Sequence, residues 1–142
     1  MQKFIIEGEA VPKGRPRFTR SGHTYTPKRT KDYEKLVKQS LKLQKAKLSN
    51  KPLLMKVDIF KGYLKSWTIK QREQAKTGEL QPFRRPDVDN YVKAILDGAD
   101  GILYKDDAQI IRLEVEKHYG QEPRVEIQIK EYQKGSGKSG TN

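Results

Sequence analysis

Pro86-Asp87-Val88-Asp89-Asn90-Tyr91-Val92-Lys93-Ala94-Ile95-Leu96-Asp97-Gly98 is the stretch on which the reading of this chain turns. From Asp89 to about Asp97 the apolar residues Tyr91 or Val92, then Ile95, Leu96 and Ala99, recur at helical spacing. Asp87 or Asp89 stands near the start of that helix, and Gly98 and Gly101 punctuate its end. Asp106-Asp107 follows, just before a strand. One short helix is thus flanked by two pairs of carboxylates.

The charge balance makes that arrangement unusual. Six of the eight aspartates lie between Pro86 and Asp107, opposed there only by Lys93 and Lys105, while the whole 142-residue chain carries a net charge of +12. Clustered carboxylates repel unless a cation sits among them. The chain has no cysteine and only His23 and His118, so a metal would be held by oxygen ligands. The basic remainder points to a polyanionic partner such as nucleic acid. No run approaches the roughly 18 apolar residues of a membrane span. The opening residues 3–7 read as a strand and not as a signal peptide, so a cytoplasmic protein with no membrane association is expected.

Outward from the acidic stretch, residues 110–119 and 124–132 alternate as two strands around the turn Gly120-Gln121-Glu122-Pro123, and are expected to form a hairpin. Leu53 to Tyr63 is a third strand, with Met55, Val57 and Ile59 on one face and Leu54, Lys56, Asp58 and Phe60 on the other. Tyr33, Val37, Leu41, Gln44 and Leu48 predict an amphipathic helix of about four turns, capped by Thr30 and ended by Asn50-Lys51-Pro52. Ser66 to Lys76 predicts a short helix with Ser66 as its cap. Residues 11–29 hold three prolines, two glycines and six bases without an acid, which predicts a loop lacking regular structure. The expected fold is α+β, a small mixed β-sheet with helices packed on it, in one domain over 1–132. A flexible Gly/Ser/Lys-rich tail is expected over 133–142.

The candidate chemistry follows. On an extended backbone Asp87 and Asp89 would point the same way, as a metal pair; the plainer alternative is capping by Asp89 with Asp87 solvated. Asp106-Asp107 can return a third carboxylate across the helix, although a turn alone would also explain it. Lys93 lies one helical turn from Asp89 and from Asp97, either as part of a salt-bridge ladder or as a cation for a scissile phosphate. Asp97 reads as structural, and so does His118. Lys13, Arg15, Arg17, Arg20, Lys28 and Arg29, interleaved with Phe18 and Tyr25, suit phosphate-backbone contact, and Arg84 and Arg85 could lead DNA toward the acids.

The run Arg85–Gly98 together with Asp106-Asp107-Ala108-Gln109-Ile110, and the opening Pro12-Lys13-Gly14-Arg15-Pro16-Arg17, resembles the RusA family of Holliday junction resolvases, often encoded by prophages. The shared pattern is Asp-x-Asp-Asn, Lys three residues later, Asp, then Asp-Asp-x-Gln before a strand. The resemblance implies a homodimeric, Mg²⁺-dependent endonuclease, with Mn²⁺ as a substitute, that places paired nicks in a four-way DNA junction. It implies Asp87, Asp89 and Asp107 as essential metal-binding carboxylates, Lys93 as the catalytic lysine, and Asp106 as a nearby acid or fourth ligand. Products with a 5′-phosphate and a 3′-hydroxyl are expected. Gly98-Ala99-Asp100 departs from the Ala-Leu-Asn of many relatives, which is expected to alter the helix end. Rival readings are a non-catalytic basic nucleic-acid-binding protein, a metal nuclease for other branched DNA or for RNA, and a phosphotransferase using Asp-x-Asp.

Overall fold

A computed structural model describes residues 1–134. The expected tail therefore lies, from residue 135 on, outside the described residues. The elements in chain order are β1 (Gln2–Glu7), β2 (Arg17–Phe18), β3 (Thr24–Tyr25), α1 (Lys28–Leu43), β4 (Leu53–Lys61), α2 (Ile69–Thr77), α3 (Val88–Ala99), a one-turn 3-10 helix (Asp107–Gln109), β5 (Ile110–Tyr119) and β6 (Arg124–Glu131). Four strands form one mixed sheet in the order β1-β6-β4-β5, in which only the β4–β5 pair is parallel. This is the expected α+β class.

The expected hairpin is not formed. β5 and β6 are joined by a tight reversal, yet β4 lies between them and pairs with both. The reason lies in side-chain character. Leu53, Leu54, Met55, Val57 and Ile59 of β4 are all buried, as suits a central strand. β5 leaves Ile111 and Leu113 exposed and takes an edge. The turn spans the end of β4, where the Gly120 N–H donates to the Lys61 carbonyl at 2.9 Å. The basic segment also carries more order than expected, since β2 and β3 pair as a short ribbon.

Both long helices pack on one face of the sheet. Tyr33, Val37 and Leu41 of α1, and Tyr91, Ala94, Ile95 and Ala99 of α3, join Phe4, Ile6, Met55, Val57, Ile59, Val125, Ile127 and Ile129 in the core. Helix α1 ends at Leu43, one turn short of the apolar pattern through Leu48. Gln44 leaves the helix for the edge of β1, accepting from the Ile5 N–H at 3.0 Å and donating to the Ile5 carbonyl at 2.8 Å. An edge strand with unpaired backbone groups is thereby partly closed.

Three capping expectations change. Pro27, not Thr30, occupies the α1 N-cap; Thr30 is buried inside the helix, and its hydroxyl accepts from the Gly14 N–H at 3.0 Å. Thr68, not Ser66, caps α2, in a reciprocal capping box with Gln71. Gly98 lies within α3 instead of ending it, while Gly101 follows the helix at φ 79°. A Cβ at Gly98 would sit 2.7 Å from Val37 Cβ and 2.9 Å from the Glu34 carbonyl oxygen. The departure at Gly98 is therefore what lets α3 approach α1. Gly98→Ala should destabilise the protein by about 1–3 kcal/mol through overpacking. Urea denaturation measures this, and an unchanged midpoint would contradict the close contact.

Candidate metal and nucleic-acid site

Helix α3 begins at Val88, so Asp87 is its N-cap and Asp89 lies in its first turn. The extended-backbone argument for a shared direction therefore does not apply to this pair. Asp87 makes no side-chain cap bond, and both carboxylates are exposed. Lys93 is exposed one turn later, 3.6 Å from Asp97 Oδ1.

The second acidic pair divides its labour. Asp106 Oδ1 accepts from the Ala108 N–H at 2.8 Å, and Gln109 Oε1 returns to the N–H groups of Lys105 and Asp106 at 2.8 and 3.2 Å. Gln109 Nε2 reaches the carbonyls of Ser49 and Lys51, tying this turn to the α1–β4 connection. One oxygen of Asp106 is thus committed to a cap. The Asp107 carboxyl is held above the ordinary aspartate range by desolvation first, then by the hydrogen bond and charge of Asp106. Asp100 adds to the effect and Lys93 opposes it. Lys93 therefore stands within electrostatic reach of Asp107 and one helical turn from Asp89.

Among the described residues, Asp87, Asp89 and Asp107 do not bring three ligand atoms within 4.8 Å of one another. The donor set suits a hard divalent cation: carboxylate oxygens, no sulfur, and a repulsion at Asp106-Asp107 that a cation would relieve.

The basic residues fall into two groups. Lys13, expected among the DNA contacts, has its ammonium on Glu34 at 2.6 Å and on Asp97 at 2.9 Å. Burial works against its charge, but these two carboxylates raise its pKa overall. The Lys13 N–H also donates to the Asn90 carbonyl at 2.8 Å, fixing the root of the basic segment to α3 beside Asp89. Asp97 is structural in this sense. Arg15, Arg17 and Arg29 line a cleft of about 360 Å³ with Val11, Pro12, Pro16 and Pro27. Arg20, Arg84 and Arg85 are exposed, Arg84 lies over Phe83, and Lys28 pairs loosely with Asp32 at 3.7 Å.

Two features were not anticipated. On the sheet face turned away from the helices, Asp58, Glu116 and His118 place three ligand atoms within 4.8 Å of one another and could hold a metal ion. His118 Nε2 is 2.8 Å from Asp58 and Nδ1 is 3.4 Å from Glu116, so the two carboxylates flank opposite nitrogens of one ring. The ring also stacks on Phe60, whose other contact is the Arg124 guanidinium 3.8 Å from its centroid. The second feature is Lys117, on the opposite side of β5, whose ammonium donates to the carbonyls of Arg84 and Pro86 at 2.9 and 3.1 Å. The Glu116-x-His118 spacing on a strand was the available signal for the first; none in the sequence pointed to the second.

The fold and this arrangement define a basic α+β protein with a carboxylate-lined helix beside a cationic cleft, the layout of a nucleic-acid-processing enzyme. The family model described as endodeoxyribonuclease RusA matches residues 7–130, and the chain belongs to that family. It is also 38% identical over 135 residues to "Uncharacterized protein YqaN" of Bacillus subtilis (strain 168), covering 91% of this chain and 95% of that protein. Among the described residues, no helix is long and apolar enough to cross a membrane.

The raised Asp107 pKa has a stability consequence of definite sign. A carboxyl whose folded pKa exceeds its unfolded one favours the folded state when protonated and opposes it when ionised. With divalent ions chelated, Asp107→Asn should melt at or above the wild-type temperature at pH 7, and the gap should close below about pH 4. Thermal melts at both pH values check this. A variant several degrees less stable at pH 7 would refute the repulsion.

Proposed function

We propose that this protein is a Mg²⁺-dependent endodeoxyribonuclease that resolves four-way DNA junctions by paired, symmetric nicks, acting in the cytoplasm as a homodimer. The observation that carries this reading is the exposed Lys93 between Asp89, one turn away, and Asp107, whose ionisation it favours. Membership of the endodeoxyribonuclease family supports it.

In this reading Asp87, Asp89 and Asp107 hold the divalent ion, for which Mn²⁺ can substitute, and Asp106 orients Asp107 from its capped position. Bound there, the ion supplies Lewis-acid activation of water and phosphate. Lys93 holds a non-bridging phosphate oxygen and stabilises the charge that builds on it. Arg15, Arg17 and Arg29 receive backbone phosphates in their cleft, with Arg20, Lys28, Arg84 and Arg85 extending the track. Lys13 takes no part in binding DNA, because its charge is neutralised by Glu34 and Asp97. Its role is to fix the basic segment against the helix that bears the acids. A two-fold dimer would present two such sites to a substrate of near two-fold symmetry.

A synthetic four-way junction tests this. Wild-type protein with Mg²⁺ should give symmetric nicks that chelator abolishes. Asp89→Asn should reduce cutting at least about a hundredfold while binding the junction as well as wild type or better, since less negative charge faces phosphate. Binding without any cutting by wild type would instead favour a non-catalytic nucleic-acid-binding protein. Preferential cutting of flaps or RNA would replace the substrate.

A further inference from the structure

Lys117 sits on β5 between Val115, which packs against the core, and Tyr119. Residues two apart on a strand share a face, so Lys117 projects to the side on which α3 lies. Its register partner on β4 is Ile59, a core residue. A lysine at that place needs partners, and it finds them 31 and 33 residues away in sequence, at the carbonyls of Pro86 and Arg84. Nothing about β5 alone requires this grip. What it holds is the segment that delivers Asp87 and Asp89.

We infer that Lys117 is a positioning residue, an ammonium clamp that fixes the Arg84–Asp87 backbone and so sets where the first acidic pair stands relative to the rest of the site. An ammonium has three N–H donors, and the two carbonyls use two of them. Burial lowers its basicity and Lys61 adds to this, while the Asp87 charge opposes the fall. The strand that carries the clamp is itself pinned from behind. His118, next to Lys117 in sequence, engages Asp58 and Phe60 of β4 on the opposite face of the sheet, with Glu116 at its other ring nitrogen. Movement at this end of β5 is resisted on both faces.

The consequence for metal binding rests on the nuclease reading, but the clamp itself does not. Its two possible effects on a cation at Asp87 have opposite signs. If Lys117 acted only as a nearby positive charge, removing it would tighten cation binding. If it positions the backbone, removing it loosens the site and weakens binding.

The test compares wild type, Lys117→Met and Lys117→Arg. Amide hydrogen exchange is first followed without DNA or divalent ions. Lys117→Met should exchange about tenfold faster at the Tyr91 N–H, which donates to the carbonyl of Asp87 at the end of the clamped segment, matching the loss of backbone anchoring, with β4 and β6 unchanged; Lys117→Arg, which keeps donors, should restore much of the protection. Mn²⁺ titration by calorimetry should then show weaker binding to Lys117→Met than to wild type. Unchanged exchange at the Tyr91 N–H, loss of protection spread evenly over the sheet, or tighter Mn²⁺ binding would each overturn the inference. Should Lys117→Met not fold, Lys117→Gln takes its place under the same criteria. Because exchange is read without substrate or metal, its outcome is independent of whether the protein cuts junctions, which the four-way junction assay decides separately.

Discussion

The constraint that shapes this molecule is electrostatic: a chain with a net charge of +12 concentrates most of its aspartates in one short region. Like charges at close range raise one another's pKa and oppose folding. The structure answers by spending these acids in different ways. Asp97 is neutralised from inside by Lys13, Asp106 is turned into a helix cap, and Asp107 is left partly desolvated beside Lys93. Asp87 and Asp89 remain exposed at the start of α3. What is left is a set of carboxylate oxygens that a hard cation suits.

The surrounding fold makes that arrangement rigid from several directions. Gly98 lets α3 lie against α1, with no Cβ between it and Val37. Lys13 bridges Glu34 of α1 and Asp97 of α3 and ties its own backbone to Asn90. Gln109 fastens the second acidic pair to the start of β4 through two carbonyls. Lys117 fastens the first pair to the end of β5. Each of these contacts spans a long stretch of sequence. The two acidic pairs are therefore referenced to the same β4–β5 unit, one near each end of β5.

Much of this was legible in the sequence. The helical spacing of Tyr91, Ile95 and Ala99 gave α3, and the alternation in residues 53–61 and 124–131 gave two strands. The Asp-x-Asp-Asn and Asp-Asp-x-Gln patterns singled out the acids. The sheet order was not legible, because periodicity says which residues share a face but not which strand stands in the centre. β4 takes the centre with Leu53, Leu54, Met55, Val57 and Ile59 all buried, although Lys56 and Asp58 stand on one of its faces. The caps at Pro27 and Thr68 escaped because several candidate residues lay within one turn of each boundary. The ion pairs of Lys13 were not legible because its partners, Glu34 and Asp97, are remote in sequence, and a lysine in a basic loop looks free. Asp58, Glu116 and His118 escaped for the same reason, since β4 and β5 meet only in three dimensions.

The central claim is that α3 and the turn before β5 together hold a divalent ion, and that the cluster on the far side of the sheet does not serve in its place. Anomalous diffraction from crystals soaked in Mn²⁺ tests this most directly. The account predicts a peak within about 2.5 Å of carboxylate oxygens from both Asp89 and Asp107. A peak confined to Asp58, Glu116 and His118, or no peak at saturating Mn²⁺, would contradict it.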